Sequence, residues 1–162
     1  MSHNLINAKI VDQESLMYVC DLLHDAKLDL GQFKNDSQSG FVEAFFEREF
    51  FENEDLMIFV PKFLLFTKIT FPYTLAQLKL RNVVSLDVDD RSNIGIYTFN
   101  ECRRIGNKYQ FSFCEDMKIT VRFKDMPSGE LCDLKILEKK GSIYILRNPL
   151  KNKIGHPGRR HA

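Results

Sequence analysis

The sequence predicts an α+β domain: an N-terminal helix packed on a strongly curved antiparallel β-meander of about six to eight strands, curved enough to close partly into a barrel. Three observations carry this reading. Residues 109–123 alternate almost without fault, with Tyr109, Phe111, Phe113, Met117, Ile119, Val121 and Phe123 on one parity and Gln110, Ser112, Lys118, Thr120 and Arg122 on the other. Period two marks half-buried strands, and Glu115-Asp116 reads as the turn between two of them. Residues 76–88 repeat the pattern, with Ala76, Leu78, Leu80, Val84, Leu86 and Val88 on the apolar parity. Helical spacing is clear only near the N-terminus, at Leu16, Val19, Cys20 and Leu23.

In chain order, residues 5–11 form a short strand or a lead-in to a helix over about 14–25, with Ser15 placed to cap it. His24 falls in the last turn, where the negative end of the helix dipole favours a protonated ring. Gly31 closes this unit, and K-N-D-S-Q-S-G at 34–40 is a turn-rich loop. The run F-V-E-A-F-F-E-R-E-F-F-E at 41–52 fits either period, because Val42, Phe46 and Phe50 recur at helical spacing. Glu and Ala favour a helix; five Phe and a Val favour a strand, which is preferred. Apolar runs at 56–60 and 63–71 flank Pro61, which marks a bulge, an edge or a connection.

The strand over 76–88 is expected to return as 94–102, pairing Val88 with Ile94 and keeping even positions inward on both. That register points Tyr97 and Phe99 outward. Gly106-Asn107 suits a two-residue primed turn that sets Cys102 opposite Phe111 and switches the inner parity to odd. At Glu115-Asp116 a two-residue loop would mix the faces. An odd loop of three or five residues is expected, setting Phe113 against Ile119 and Phe111 against Val121. After Met126-Pro127-Ser128-Gly129, a strand over about 131–138 turns at Lys139-Lys140-Gly141 into a last strand ending near Arg147. Leu137 and Ile143 then point outward if Ile136 and Tyr144 point in. Residues 1–150 make one domain, and 151–162 a basic, loosely attached tail.

Composition narrows the classes further. A chain of 162 residues with 44% hydrophobic and 28% charged residues can bury one core without disulfides or a structural metal. The net charge of +1 hides an asymmetry: residues 1–72 hold six Lys/Arg against twelve Asp/Glu, and residues 73–162 seventeen against ten. The four cysteines, Cys20, Cys102, Cys114 and Cys132, show no C-x-x-C spacing and read as free thiols in a reducing compartment. The N-terminus lacks the pattern of a signal peptide. The most apolar segment, Leu56 to Phe71, is interrupted by Pro61, Lys62 and Lys68 and is too short to span a bilayer. A cytoplasmic protein without a membrane partner is expected.

Four groups of residues could carry chemistry. Cys20 and His24, four apart, are a nucleophile-and-base spacing, with Asp25 or Asp29 to orient the ring. The plainer reading is a packed thiol and a helix-end histidine. D-V-D-D at 87–90 lacks the Gly and Glu of a calcium loop, with Ser92 and Thr98 in their places, and reads as a solvated turn. The outer sheet face gathers Lys79, Arg81, Arg103, Lys108, Lys118, Arg122, Lys124 and Lys135 with Tyr97 and Phe99, the combination that holds single-stranded nucleic acid. Nine of the fourteen Phe lie between 41 and 71, more than one sheet face buries; a thick core, a ligand cavity or an interface would use them.

No phosphate loop, G-x-S-x-G or H-E-x-x-H occurs. No metal or cofactor is expected. The expectation is a small non-enzymatic binding or assembly module, self-associating through apolar sheet surface at Phe50, Leu137, Ile143 and Ile145. Nucleic-acid or polyanion binding by the basic face is the alternative, and a small hydrolase or transferase using Cys20 and His24 the second.

Overall fold

Alternation prevails over helical spacing nearly everywhere in the chain. The computed structural model describes residues 5–36, 38–52, 56–62 and 66–146. Its elements are β1 (Asn7–Ile10), α1 (Gln13–Leu22), β2 (Lys27–Asp29), a 3-10 turn (Leu30–Gln32), β3 (Lys34–Asp36), β4 (Phe41–Glu49), β5 (Ile58–Lys62), β6 (Phe66–Asp90), β7 (Ile96–Ile105), β8 (Lys108–Phe113) and β9 (Met117–Leu146). The fold is the expected helix on a curved antiparallel sheet, with nine strands instead of six to eight. Their order is β1-β9-β8-β7-β2-β4-β6-β5, with β3 beside β4 and β6 pairing back onto β9. That return makes a partial ring. It is not a barrel: the link β2 contributes two residue pairs to β4 and three to β7.

The helix starts where a cap exists. Asp12, not Ser15, is the N-cap: its carboxylate accepts from the Ser15 amide at 2.8 Å, while Ser15 Oγ accepts from the Asp12 amide at 3.1 Å. Ser15 is thus the third residue of a capping box. Leu16, Val19, Cys20 and Leu23 are buried against the sheet. The helix ends at Leu22, so His24 lies beyond its last turn.

The run at 41–52 is a strand over Phe41–Glu49, because Val42, Ala44 and Phe46 all bury on one parity. β6 and β9 are 25 and 30 residues long and paired along most of their length. Strands of that length bend through irregularities: the ladder shifts register near Tyr73, at Leu75/Ala76 and twice around Val83, where Asn82 takes φ +59°. The shift at Asn82 brings Val83 into the core and leaves Val84 exposed, the reverse of the expected parity.

Three further expectations are corrected. β6 and β7 do not form a hairpin. Val88 faces Ile119 of β9, while β7 pairs with β2 and β8. β7 therefore presents Tyr97 and Phe99 to the core, 0% and 1% exposed, and leaves Ile94 and Ile96 in solvent. Two rings bury more apolar area than two isoleucines, and they find aromatic partners: Phe99 meets Phe113 edge-on at 5.5 Å, and Tyr97 meets it at 6.4 Å. The inner parity of β7 changes at a bulge between Phe99 and Glu101, ahead of the turn. The strand predicted to end at 138 continues, so no hairpin turns at Lys139-Lys140-Gly141. Gly141 serves a close approach instead: a Cβ there would overlap the Phe71 ring.

Local turns follow the sequence closely. Gly106, at φ +62°, leads a two-residue turn that sets Cys102 opposite Phe111. The hairpin loop is odd as expected and takes the three-residue form, 114–116, with Asp116 at φ +58°. It pairs Phe113 with Met117 and Phe111 with Ile119, two residues tighter than the longer loop and on the same face. Glu115 ties this loop to β7, accepting from the Thr98 amide at 2.7 Å and from Thr98 Oγ1 at 2.8 Å. Burial opposes its charge, but these hydrogen bonds prevail and hold the carboxyl below its ordinary pKa. Its contribution to stability is therefore full above the ordinary carboxylate pKa and is lost as pH falls through the lowered value. Glu115→Gln should destabilise the fold at neutral pH and converge with the wild type once pH has fallen below the lowered pKa, checked by thermal melts across the acid range.

The largest side chain sealed in the interior is charged. Arg48 of β4 is 1% exposed and makes a two-pronged pair with Asp133 of β9, at 3.0 Å from Nε and 2.8 Å from Nη2. Nη1 donates to Glu52 at 2.7 Å and to the Glu49 carbonyl at 3.2 Å, and the guanidinium lies 5.6 Å from the Phe50 ring centroid. Asp133 also accepts from the Ile6 amide at 3.0 Å, which brings the N-terminal segment to the same point. Removing one partner strands the other without water. Asp133→Ala should cost about 3–5 kcal/mol in denaturant unfolding, whereas Arg48→Met combined with Asp133→Leu should cost far less.

Candidate binding surface

The residues proposed for nucleophilic chemistry do not converge. Cys20 is buried on the inner side of α1, where its neighbour Cys102 and burial push its thiol pKa up, away from the reactive thiolate. His24 Nδ1 lies 3.1 Å from Asp25 Oδ2, both in solvent. Asp29 is committed to the 3-10 turn, accepting from the Gly31 amide at 2.9 Å and from Gln32 Nε2 at 2.7 Å. A groove of about 330 Å³ runs past Cys20, His24, Glu101 and Cys102, but its histidine pairs with the solvent carboxylate and not with a thiolate. Among the described residues no group of three or more His, Cys, Asp and Glu could hold a metal ion.

The basic outer face keeps its cations but loses its rings. Tyr97 and Phe99 are in the core. Lys79 and Arg81 share Glu130 at 3.9 and 3.5 Å, and Arg103 pairs with Glu101 at 2.8 Å. Lys118 stands across from Asp89, and Arg122 across from Ser85. Arg122 does border a groove of about 320 Å³ with Arg104 and Lys124, a basic depression that the sequence reading did not single out. The cavity inside the ring is apolar and holds only about 30 Å³, space for one water-sized group, so the Phe-rich core encloses no ligand chamber there.

Unpartnered apolar surface gathers elsewhere. β5, the first residues of β6 and the last residues of β9 form a three-stranded arm beyond the ring, and every residue of β5 is exposed. Residues directly opposite in a ladder share a face, and successive residues alternate. Phe59, Ile69 and Ile143 are opposite one another, as are Pro61, Thr67 and Ile145. With Phe71 over Gly141 they make one stretch of face that carries no charged residue and is bounded at its base by Lys139, 4.6 Å from the Tyr73 ring centroid. Phe51, 40% exposed, packs on Phe71 at 4.3 Å between ring centroids and extends this face at its base. The opposite face carries Val60, Lys62, Phe66, Lys68, Tyr144 and Leu146.

Of the four residues expected at an interface, Ile143 and Ile145 lie together on the charge-free face, 41% and 44% exposed. Leu137 is half-buried at the joint between ring and arm. Phe50 is fully buried beneath Arg48 and is not available to a partner. Arg48 and Asp133 had a signal in the sequence: an arginine on the same parity as Val42, Ala44 and Phe46 is an arginine inside.

Fold and surface together define a mostly antiparallel α+β domain whose exposed apolar chemistry sits on a projecting β-arm. Compared with known proteins, the chain matches no family model, no curated protein and no solved structure. Among the thiols, Cys114 is exposed and Cys20 and Cys102 are buried. Under native conditions a thiol reagent should modify Cys114 first and reach Cys20 and Cys102 only on unfolding, read by mass spectrometry of the labelled peptides.

Proposed function

We propose that the protein is a small non-enzymatic binding and assembly module that associates with a second copy of itself through the charge-free face of the arm. The observation that carries this reading is the side-by-side placement of exposed Phe59, Ile143 and Ile145 around half-buried Ile69, a run of the sheet face without a charged group. Soluble domains seldom leave contiguous apolar surface of this kind uncovered. A face that is apolar throughout is complementary to itself, as a two-fold contact requires. Two such arms would pack face to face about 10 Å apart, like the layers of a sandwich. Lys62 and Lys68 would then point away from the contact, so the pairing sets no like charges against each other.

Light scattering after size exclusion tests this directly. The wild type should have twice the 18.9 kDa mass of the chain, with little dependence on salt. Ile143→Asp should give a monomer with an unchanged circular-dichroism spectrum, because its side chain is outside the core. Phe50→Asp should instead lose the fold. A monomeric wild type at every concentration, or an Ile143→Asp, Ile145→Asp double variant of unchanged mass, would overturn the reading.

A further inference from the structure

The second face of the arm differs in chemistry from the first. Lys62, Lys68 and Lys140 lie on it by ladder register, interspersed with Val60, Tyr144 and Leu146, the last two 63% and 70% exposed. The charge of the arm is one-sided at the level of the whole chain. Residues 56–72 and 139–162 contain nine of the 23 Lys/Arg and none of the 22 Asp/Glu. The remaining chain holds fourteen cationic residues against all 22 acidic ones. Four of these nine fall within residues 151–160.

We infer that this second face seats on an anionic phospholipid surface. The lysines meet the phosphates, and Val60, Tyr144 and Leu146 settle at the boundary between headgroups and acyl chains. Both halves of that contact are on the face: cations with no carboxylate partner among the described residues, and aliphatic and aromatic side chains, Phe66 included, between them. Two rings, Phe66 and Tyr144, also lie on this face, but Val60 and Leu146 stand among them, and aliphatic side chains gain from a headgroup boundary and nothing from base stacking, which favours the lipid surface over single-stranded nucleic acid. The depth is limited by the backbone. The outer edges of β5 and of β9 at 140–146 have no strand partner among the described residues, and unpaired amides are not carried into hydrocarbon. Adsorption requires no span, in keeping with the described residues, where no helix is long and apolar enough to cross a membrane. The inference uses the face opposite the self-association surface and does not require that contact.

Co-sedimentation of the full-length protein with vesicles tests it. The protein should pellet with vesicles of phosphatidylcholine mixed with phosphatidylserine, remain in solution with phosphatidylcholine alone, and be released by high salt. Lys62→Glu with Lys68→Glu should weaken vesicle binding about tenfold or more while leaving the spectrum and mass unchanged. Tyr144→Ser should weaken it and leave its salt dependence in place, and Ile143→Asp, made to disrupt pairing, should still bind. The inference is overturned by absence of binding to phosphatidylserine vesicles at low salt. It is equally overturned by wild-type binding in the Lys62, Lys68 double variant, or by an arm that prefers a single-stranded oligonucleotide to the vesicles.

Discussion

A guanidinium sealed from water holds the ring and its outlying parts in one arrangement. Arg48 sits on β4, Asp133 on β9, and Asp133 also accepts from Ile6, so three stretches of chain far apart in sequence meet at one charged contact. Desolvating both charges is costly, and the cost is met only with each prong of the guanidinium in place. Such a contact adds less to total stability than to the choice of register. If β4 slipped by one residue, Arg48 would leave the interior and Asp133 would be stranded. Asp133 faces inward on the parity of buried Leu131, just before the register shift at Leu134, and Thr74, buried alongside, donates to the Lys135 carbonyl at 2.9 Å within that irregular stretch.

That fixed closure explains why the rest of the sheet is divided into two regimes. Within the ring, α1 and the inner faces of β4, β6, β7, β8 and β9 bury one another, and the cavity left over is water-sized. Past the joint near Tyr73 and Leu137, β6 and β9 continue paired to each other with only β5 beside them. No element among the described residues covers either face there. The arm's backbone is satisfied along β6 while the side chains of the flanking β5 and of β9 past Gly141 face solvent, which is the condition in which a sheet recruits another surface. Lys62, Lys68 and Lys140 lie on one face and Phe59, Ile69, Ile143 and Ile145 on the other, so the two faces of the arm differ in chemistry.

The parts legible in the sequence were those specified by neighbours in the chain. Gly106-Asn107 fixed its own turn and with it the pairing of Cys102 with Phe111; alternation fixed the odd loop between β8 and β9; Leu16, Val19, Cys20 and Leu23 marked the buried side of α1. Alternation says which residues share a face but not which strand lies alongside. The pairing of β6 with β9 joins residues as far apart as Phe66 and Leu146, and nothing local distinguishes it from a hairpin with β7. A hairpin of β6 with β7 would turn Tyr97 and Phe99 out of the core and lend the basic outer face rings that it does not have. Gly141 misled in the same manner, since a glycine marks a close approach as readily as a turn. For the surface, the parity of Ile143 and Ile145 was readable, whereas Phe50 was hidden by a buried arginine that ordinary hydropathy assigns to the outside.

The face-specific pairing of two arms is the centre of this account, and oxidative cross-linking addresses it most directly. In a Cys114→Ser background, cysteine placed at Ile143 and, separately, at Tyr144 would sample the two faces of the same strand one residue apart. Packing through the charge-free face predicts a disulfide-linked dimer from Ile143→Cys and little from Tyr144→Cys. Equal or stronger cross-linking at Tyr144 would contradict it.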